Sequence, residues 1–167
     1  KVIAVTDNSV ELSWTNTGAA SYKALLFASE PTTIAEASAL SVKEVETNAV
    51  SFEELSANTL YYVYIQGICD EENSEYSKVF SFRTACAAEE LPYAENFDDG
   101  NALLCWKTIG NAATLSSSSV AFGGSGKALA LTTDSVNVML VSPKFNVASL
   151  ADYNVNLAAY SNTDRKS

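Results

Sequence analysis

The chain has 167 residues, 47% of them hydrophobic and 10% aromatic, which suits one large domain or two small ones and excludes a disordered polypeptide. Lys and Arg total 10 against 20 Asp and Glu, and the net charge of −10 opposes nucleic-acid binding and docking on anionic lipid. With no histidine, Ser-His-Asp and Cys-His catalysis and His-based zinc sites are also excluded. No stretch approaches the ~20 apolar residues of a membrane helix, so membrane insertion is not expected. No signal-peptide pattern follows Lys1, so the expectation is a removed signal or an excised fragment.

Short alternating runs separated by Gly, Asn, Asp and Ser clusters predict an all-β chain. The first is Val2-Ile3-Ala4-Val5. In 9–14, alternation puts Val10, Leu12 and Trp14 on one face. In 22–28, Tyr22, Ala24 and Leu26 form the matching inward set. Residues 31–40 break the pattern: Thr33-x-x-Glu36 has capping-box spacing before Ala-rich sequence, which predicts a short helix, with an irregular loop as the competing reading. Strand signals resume at 49–55. The strongest strand spans 60–69, with Tyr61, Val63, Ile65 and Gly67 on one face and Tyr62, Tyr64 and Gln66 on the other. An acidic turn, Asp70-Glu71-Glu72-Asn73-Ser74, leads into 77–84, which is expected to pair back as a hairpin.

Val10-Glu11-Leu12-Ser13-Trp14, Leu55-x5-Tyr61-x-Val63-x-Ile65 and Phe80-Ser81-Phe82-Arg83-Thr84 resemble the B, F and G strands of a fibronectin type III domain. The resemblance covers residues 1–86 and implies an immunoglobulin-like sandwich with Trp14 and Tyr61 in its core, Tyr61 as the tyrosine corner. It also makes the 22–28 and 60–69 strands neighbours, with Leu25, Phe27, Tyr62 and Tyr64 on the outer face of their sheet. An outward aromatic strip implies a cover, and packing against the second domain or a neighbouring module is expected there. Sugar stacking and ordinary half-exposed strand residues are the alternatives.

Residues 87–92, Ala-Ala-Glu-Glu-Leu-Pro, read as a short linker. Beyond it come Glu95-x-Phe97-Asp98-x-Gly100, Cys105-Trp106-Lys107-Thr108-Ile109 and Leu140-Val141-Ser142-Pro143-Lys144-Phe145, with strand-like runs at 127–132, 136–142 and 153–160. This set resembles the start of a cleaved-adhesin or MAM-like jelly roll, a domain found in large bacterial surface proteins. The resemblance implies a second β-sandwich over 93–167 that is incomplete, because a half-built jelly roll would expose long strand edges. A small self-contained sandwich is the alternative. Gly123-Gly124-Ser125-Gly126 lacks the Gly-Lys-Ser/Thr ending of a phosphate loop and reads as a turn.

The three cysteines are too few for a disulfide scaffold and are not spaced as a metal motif. In the expected hairpin Cys69 and Cys86 sit at opposite ends, beyond the ~7 Å that a disulfide tolerates. The jelly-roll resemblance implies a Cys86–Cys105 bridge, worth ~3 kcal/mol in the chain-entropy model, with Cys69 left as a buried thiol. Three free, buried cysteines are the alternative.

Glu95, Asp98 and Asp99 supply the hard oxygens that calcium prefers, and related jelly rolls hold a structural calcium near this strand. Alternation separates Asp98 from the other two, and solvated acids around a Gly100 turn are the competing reading. Asp70, Glu71 and Glu72 read as a solvated turn, in a place where loops carry recognition in some fibronectin type III domains. Nothing places two acids across a cleft, as glycoside hydrolysis requires. The expectation is therefore a non-enzymatic adhesion or binding module, secreted or at the cell surface. Its partners would be neighbouring domains and a glycan or host protein. An accessory spacer of a secreted protease or glycoside hydrolase is the alternative.

Overall fold

The computed structural model describes residues 1–70, 72–98, 104–109, 114–118, 128–132, 139–149 and 154–156, with 114–118 and 128–132 described by their backbone. The chain divides into two compact units, Lys1–Ala87 and Ala88–Ser167.

The first unit is an all-β sandwich. Its strands are β1 (Val2–Val5), β2 (Val10–Ser13), β3 (Ser21–Phe27), β4 (Ser41–Val45), β5 (Ala49–Phe52), β6 (Leu60–Ile68) and β7 (Phe80–Arg83). One sheet has the order β1-β2-β5 and the other β4-β3-β6-β7, with antiparallel pairing throughout. Opposed residues share a face, so the pairs Leu12↔Val50, Val10↔Phe52, Leu26↔Val63 and Tyr61↔Phe82 each send two apolar side chains to the same side. Those faces meet as one core of Val10, Leu12, Ala24, Leu26, Val50, Phe52, Leu55, Tyr61, Val63 and Phe82. Burying each large member contributes about 1.5–3 kcal/mol. Trp14 is half-buried against this core, its ring edge-on to Tyr22 at 5.3 Å.

Four expectations for this unit change. The segment 31–40 holds a single 3-10 turn, Glu36–Ser38, with Ala35 at the N-cap and no side-chain cap. Glu36 does not close a capping box with Thr33, because its carboxylate accepts from Lys23 Nζ at 2.8 Å. Second, β4 is a strand that alternation does not reveal. It is a sheet edge with Val42, Lys43 and Glu44 all exposed, so no buried face imposes a period of two. Third, regular pairing of the last strand starts at Phe80 rather than Ser77. Fourth, the Leu25, Phe27, Tyr64 strip lies on the outer face of its sheet as expected but is covered from within the unit. Leu25 has no exposed surface, and Ile34, Ala39, Tyr62 and Tyr76 pack around the strip. The long β3–β4 crossover supplies Ile34 and Ala39, so Leu25, Phe27 and Tyr64 form a second small core and not an interface. Tyr62, at its margin, is half-buried.

In the second unit, β8 (Lys107–Ile109) pairs antiparallel with β11 (Met139–Val141), and β9 (Thr114–Ser118) with β10 (Ala128–Thr132). The Ser-rich stretch is thus largely a strand. Residues 88–92 are not a free linker: Glu89 forms a parallel bridge with Phe145, and Asn146 Nδ2 donates to Glu90 Oε1 at 2.8 Å. These two-stranded pairs do not by themselves make a jelly roll. Of the run 153–160, residues 154–156 carry no strand, and the remainder lies outside the described residues, as does the Gly123–Gly126 turn.

Candidate functional site

Three loops of the first unit converge at one end of the sandwich: residues 14–20, 46–48 and 69–79. Each is tied to the frame by backbone hydrogen bonds. Ala20 N–H donates to Ile68 O at 3.0 Å, Trp14 N–H to Asn48 O at 3.0 Å and Ser74 N–H to Gly67 O at 2.9 Å. Asn48 Nδ2 returns a bond to Trp14 O at 2.6 Å.

Tyr22 organises the first loop. Its ring is buried, but its hydroxyl reaches the loop, where it donates to Asn16 Oδ1 at 2.9 Å and accepts from Thr17 N–H at 2.9 Å. The Thr17 hydroxyl lies 3.2 Å away. Hydrogen bonds from the Thr17 hydroxyl, and then from its N–H, hold the Tyr22 phenol below its ordinary value. Gly18 closes the loop at φ 81, a left-handed conformation that suits glycine.

The third loop is knit differently. Ser74 and Ser77 each donate a backbone N–H to β6 and accept a β6 N–H on their own hydroxyls, Gly67 N–H at 2.8 Å and Ile65 N–H at 3.0 Å. Each hydroxyl then donates to the following carbonyl. The serine hydroxyls thereby serve as acceptors for β6 N–H groups beside a segment with no regular strand. A Cβ on Gly67 would sit 3.2 Å from Ala19 Cβ and 3.4 Å from Ser74 Oγ, so the first and third loops meet across this glycine.

Glu46, Asp70, Glu72 and Glu75 are exposed on this pole. The ion pairs among the described residues lie elsewhere, on Lys23 with Glu36 and Glu44. Glu71 lies outside the described residues. Cys69 is exposed rather than buried, because β6 ends one residue earlier at Ile68.

Tyr61 performs the expected corner role: its hydroxyl accepts Ser56 N–H at 2.9 Å, and its ring stacks on Phe82 at 5.6 Å. At the same corner Thr84 Oγ1 accepts Thr59 N–H and donates to Ser56 O. Thr84 is visible in the sequence as the end of the Phe80–Thr84 motif, but its bonds to Ser56 and Thr59 are not, because those residues lie 25 or more positions away.

Cys86 and Cys105 are disulfide-bonded, and Cys69 is the free thiol. Glu95 and Asp98 each accept hydrogen bonds from their own segment. Glu95 accepts Phe97 N–H at 2.6 Å and the Tyr93 hydroxyl at 3.2 Å, and Asp98 Oδ2 accepts Asn96 Nδ2 at 3.0 Å. Asp99 lies outside the described residues. Among the described residues no three His, Cys, Asp or Glu side chains gather as a metal-holding group. No helix among the described residues is long and apolar enough to cross a membrane.

The first unit is thus an immunoglobulin-like sandwich with the three-plus-four strand arrangement of fibronectin type III domains. Its structural neighbours are such domains. The fn3 domain of human collagen alpha-1(XX) chain aligns with 23% identity and a TM-score of 0.45, over 53% of this chain and 83% of that one. The fn3 domain of human contactin 1 aligns with 16% identity and a TM-score of 0.45, over 57% and 79%. The chicken CNTN1 FN1–FN3 domains align with 18% identity and a TM-score of 0.43, over 51% and 29%. No family model and no curated protein sequence matches the chain.

Proposed function

We propose that the chain is a non-catalytic binding module of a larger secreted or cell-surface protein, and that the loop pole of the first unit is its contact face. The observation that carries this reading is the convergence of three hydrogen-bonded loops bearing Glu46, Asp70, Glu72 and Glu75, all exposed and outside the ion pairs found among the described residues. A hydrogen-bonded frame presenting four exposed carboxylates against the single lysine of these loops, Lys78, suits a cationic protein surface, or a glycan held through a bridging cation. Disulfide-bonded Cys86 and Cys105 support an oxidising, extracellular setting. A spacer role beside a secreted hydrolase is the second reading, supported by the division into two compact units.

The test is a glycan-array and matrix-protein binding screen of the intact chain, with and without a calcium chelator. The expected result is a salt-sensitive ligand whose binding weakens in a combined Asp70→Ala, Glu72→Ala variant. A blank screen in both conditions would favour the spacer. Turnover of a polysaccharide or peptide by the purified chain would overturn the non-catalytic reading.

A further inference from the structure

The first unit has two cores, and regular structure closes only one of them. The main core, between the two sheets, takes in no residue of 28–40. The second, Leu25, Phe27 and Tyr64, lies on the outer face of the four-stranded sheet, under the β3–β4 crossover. Leu25 and Leu26 sit on either side of this division. Neither has any exposed surface, yet alternation sends them to opposite faces, Leu26 into the main core and Leu25 under the crossover.

The crossover is lightly held. It carries a single 3-10 turn, and Ser38 and Ala39 N–H donate within the segment, to Ala35 and Glu36 O. Leu40 N–H ties its end to Leu26 O at 2.7 Å. Its middle is tied by Glu36, which accepts from Lys23 Nζ at 2.8 Å, and by the apolar contacts of half-buried Ile34 and Ala39. Lys23 has a second partner in Glu44, 3.3 Å away at the opposed position of β4. Release of Glu36 therefore leaves the lysine paired and the sheet unbroken. The two carboxylates share that one ammonium, and their side chains are 52% and 64% exposed, so salt screens the tie.

We propose that 28–40 is a strap that lifts as a unit from the folded sandwich, hinged beside Phe27 and at Leu40, and bares the aromatic strip of Phe27, Tyr62 and Tyr64 around Leu25. The main core lends the strap nothing and takes nothing from it, so the opening is local and not global. The Lys23–Glu36 tie sets how often the strap lifts, and ionic strength thereby gates access to the strip. The device is separate from the loop pole and does not depend on that reading.

The test is thiol labelling of the intact, oxidised chain carrying either Leu25→Cys or Leu26→Cys, each combined with Cys69→Ser so that the introduced thiol is the reactive one. Phe27→Cys and Val63→Cys, on the same two faces, replace either variant that fails to fold. Denaturant unfolding of each variant gives the labelling rate that global opening alone would allow. The thiol at position 25 should react at least about tenfold faster than that rate, and the thiol at position 26 at that rate. Adding Glu36→Gln, or raising the salt, should speed labelling at position 25 about two- to fivefold and leave position 26 at its global rate. Labelling at position 25 no faster than global unfolding allows would overturn the proposal. Equal acceleration at both positions would overturn it in favour of fraying of β3. Fast labelling at position 25 that ignores both Glu36→Gln and salt would overturn it by placing the opening at another cover, such as Tyr76.

Discussion

Tyr61 and Trp14 are both aromatic residues of the core region, yet their polar atoms lead to opposite expectations. The Tyr61 hydroxyl is the acceptor for Ser56 N–H, so Tyr61→Phe leaves a part-buried donor without a partner while the ring still stacks on Phe82. A loss of about 1–3 kcal/mol in denaturant unfolding is expected. The buried Trp14 indole N–H has no acceptor among the described residues. Trp14→Phe removes that unsatisfied donor and keeps an aromatic ring, so stability should change by less than about 1 kcal/mol in the same assay. Glu54 adopts φ 58 on an exposed turn. Glu54→Gly should raise stability by up to about 1 kcal/mol, because glycine has no Cβ to strain there. The role of Tyr61 was legible from its spacing within an alternating strand. The orphaned indole and the strained glutamate were not, since both depend on how a loop returns to the frame.

Alternation reports burial, and it located the strands that bury a face. That is why β2, β3 and β6 were legible and β4, exposed along its middle, was not. Spacing in the crossover between β3 and β4 suggests a short helix because local sequence cannot show that Ile34 and Ala39 are recruited to cover Leu25, Phe27 and Tyr64. Once that segment is seen as a cover, the outer strip no longer needs a partner. The cover is pinned by Lys23 to Glu36, and the Glu36 hydrogen bond, followed by Glu44, raises the lysine above its ordinary value of 10.5. A raised folded value means the contribution is complete below the ordinary value and is lost as pH rises through the folded one. Desolvation raises Tyr64 beneath the cover, with the same sign. Thermal stability should therefore fall as pH climbs above about 10, and Lys23→Met should lower stability at neutral pH while flattening that fall. An alkaline profile identical in wild type and variant would contradict the role of the ion pair. At the other edge, Ser77→Ala removes the acceptor for Ile65 N–H and should speed exchange of that amide without altering β3.

For the whole molecule, the all-β class was legible in the sequence, while the ties of Glu89 to Phe145 and of Glu90 to Asn146 were not, since they join residues more than fifty positions apart. The covalent state makes a simple prediction: thiol titration of the unreduced, denatured chain should find Cys69 alone reactive, and reduction should release Cys86 and Cys105. The local bonding of Glu95 was not legible from spacing, because its carboxylate turns back onto Phe97 N–H and the Tyr93 hydroxyl, and alternation does not describe a turn. Everything proposed for the loop pole depends on β3 and β6 being paired in register at the centre of the four-stranded sheet, with Leu25↔Tyr64 and Leu26↔Val63 opposed. Residue-resolved amide exchange on the intact chain tests that pairing most directly. The slowest amides should fall in β3 and β6, with faster exchange in β1, in 28–40 and at the loop pole. Rapid exchange through Leu25, Leu26 and Val63, or cross-strand contacts placing them in another register, would contradict it.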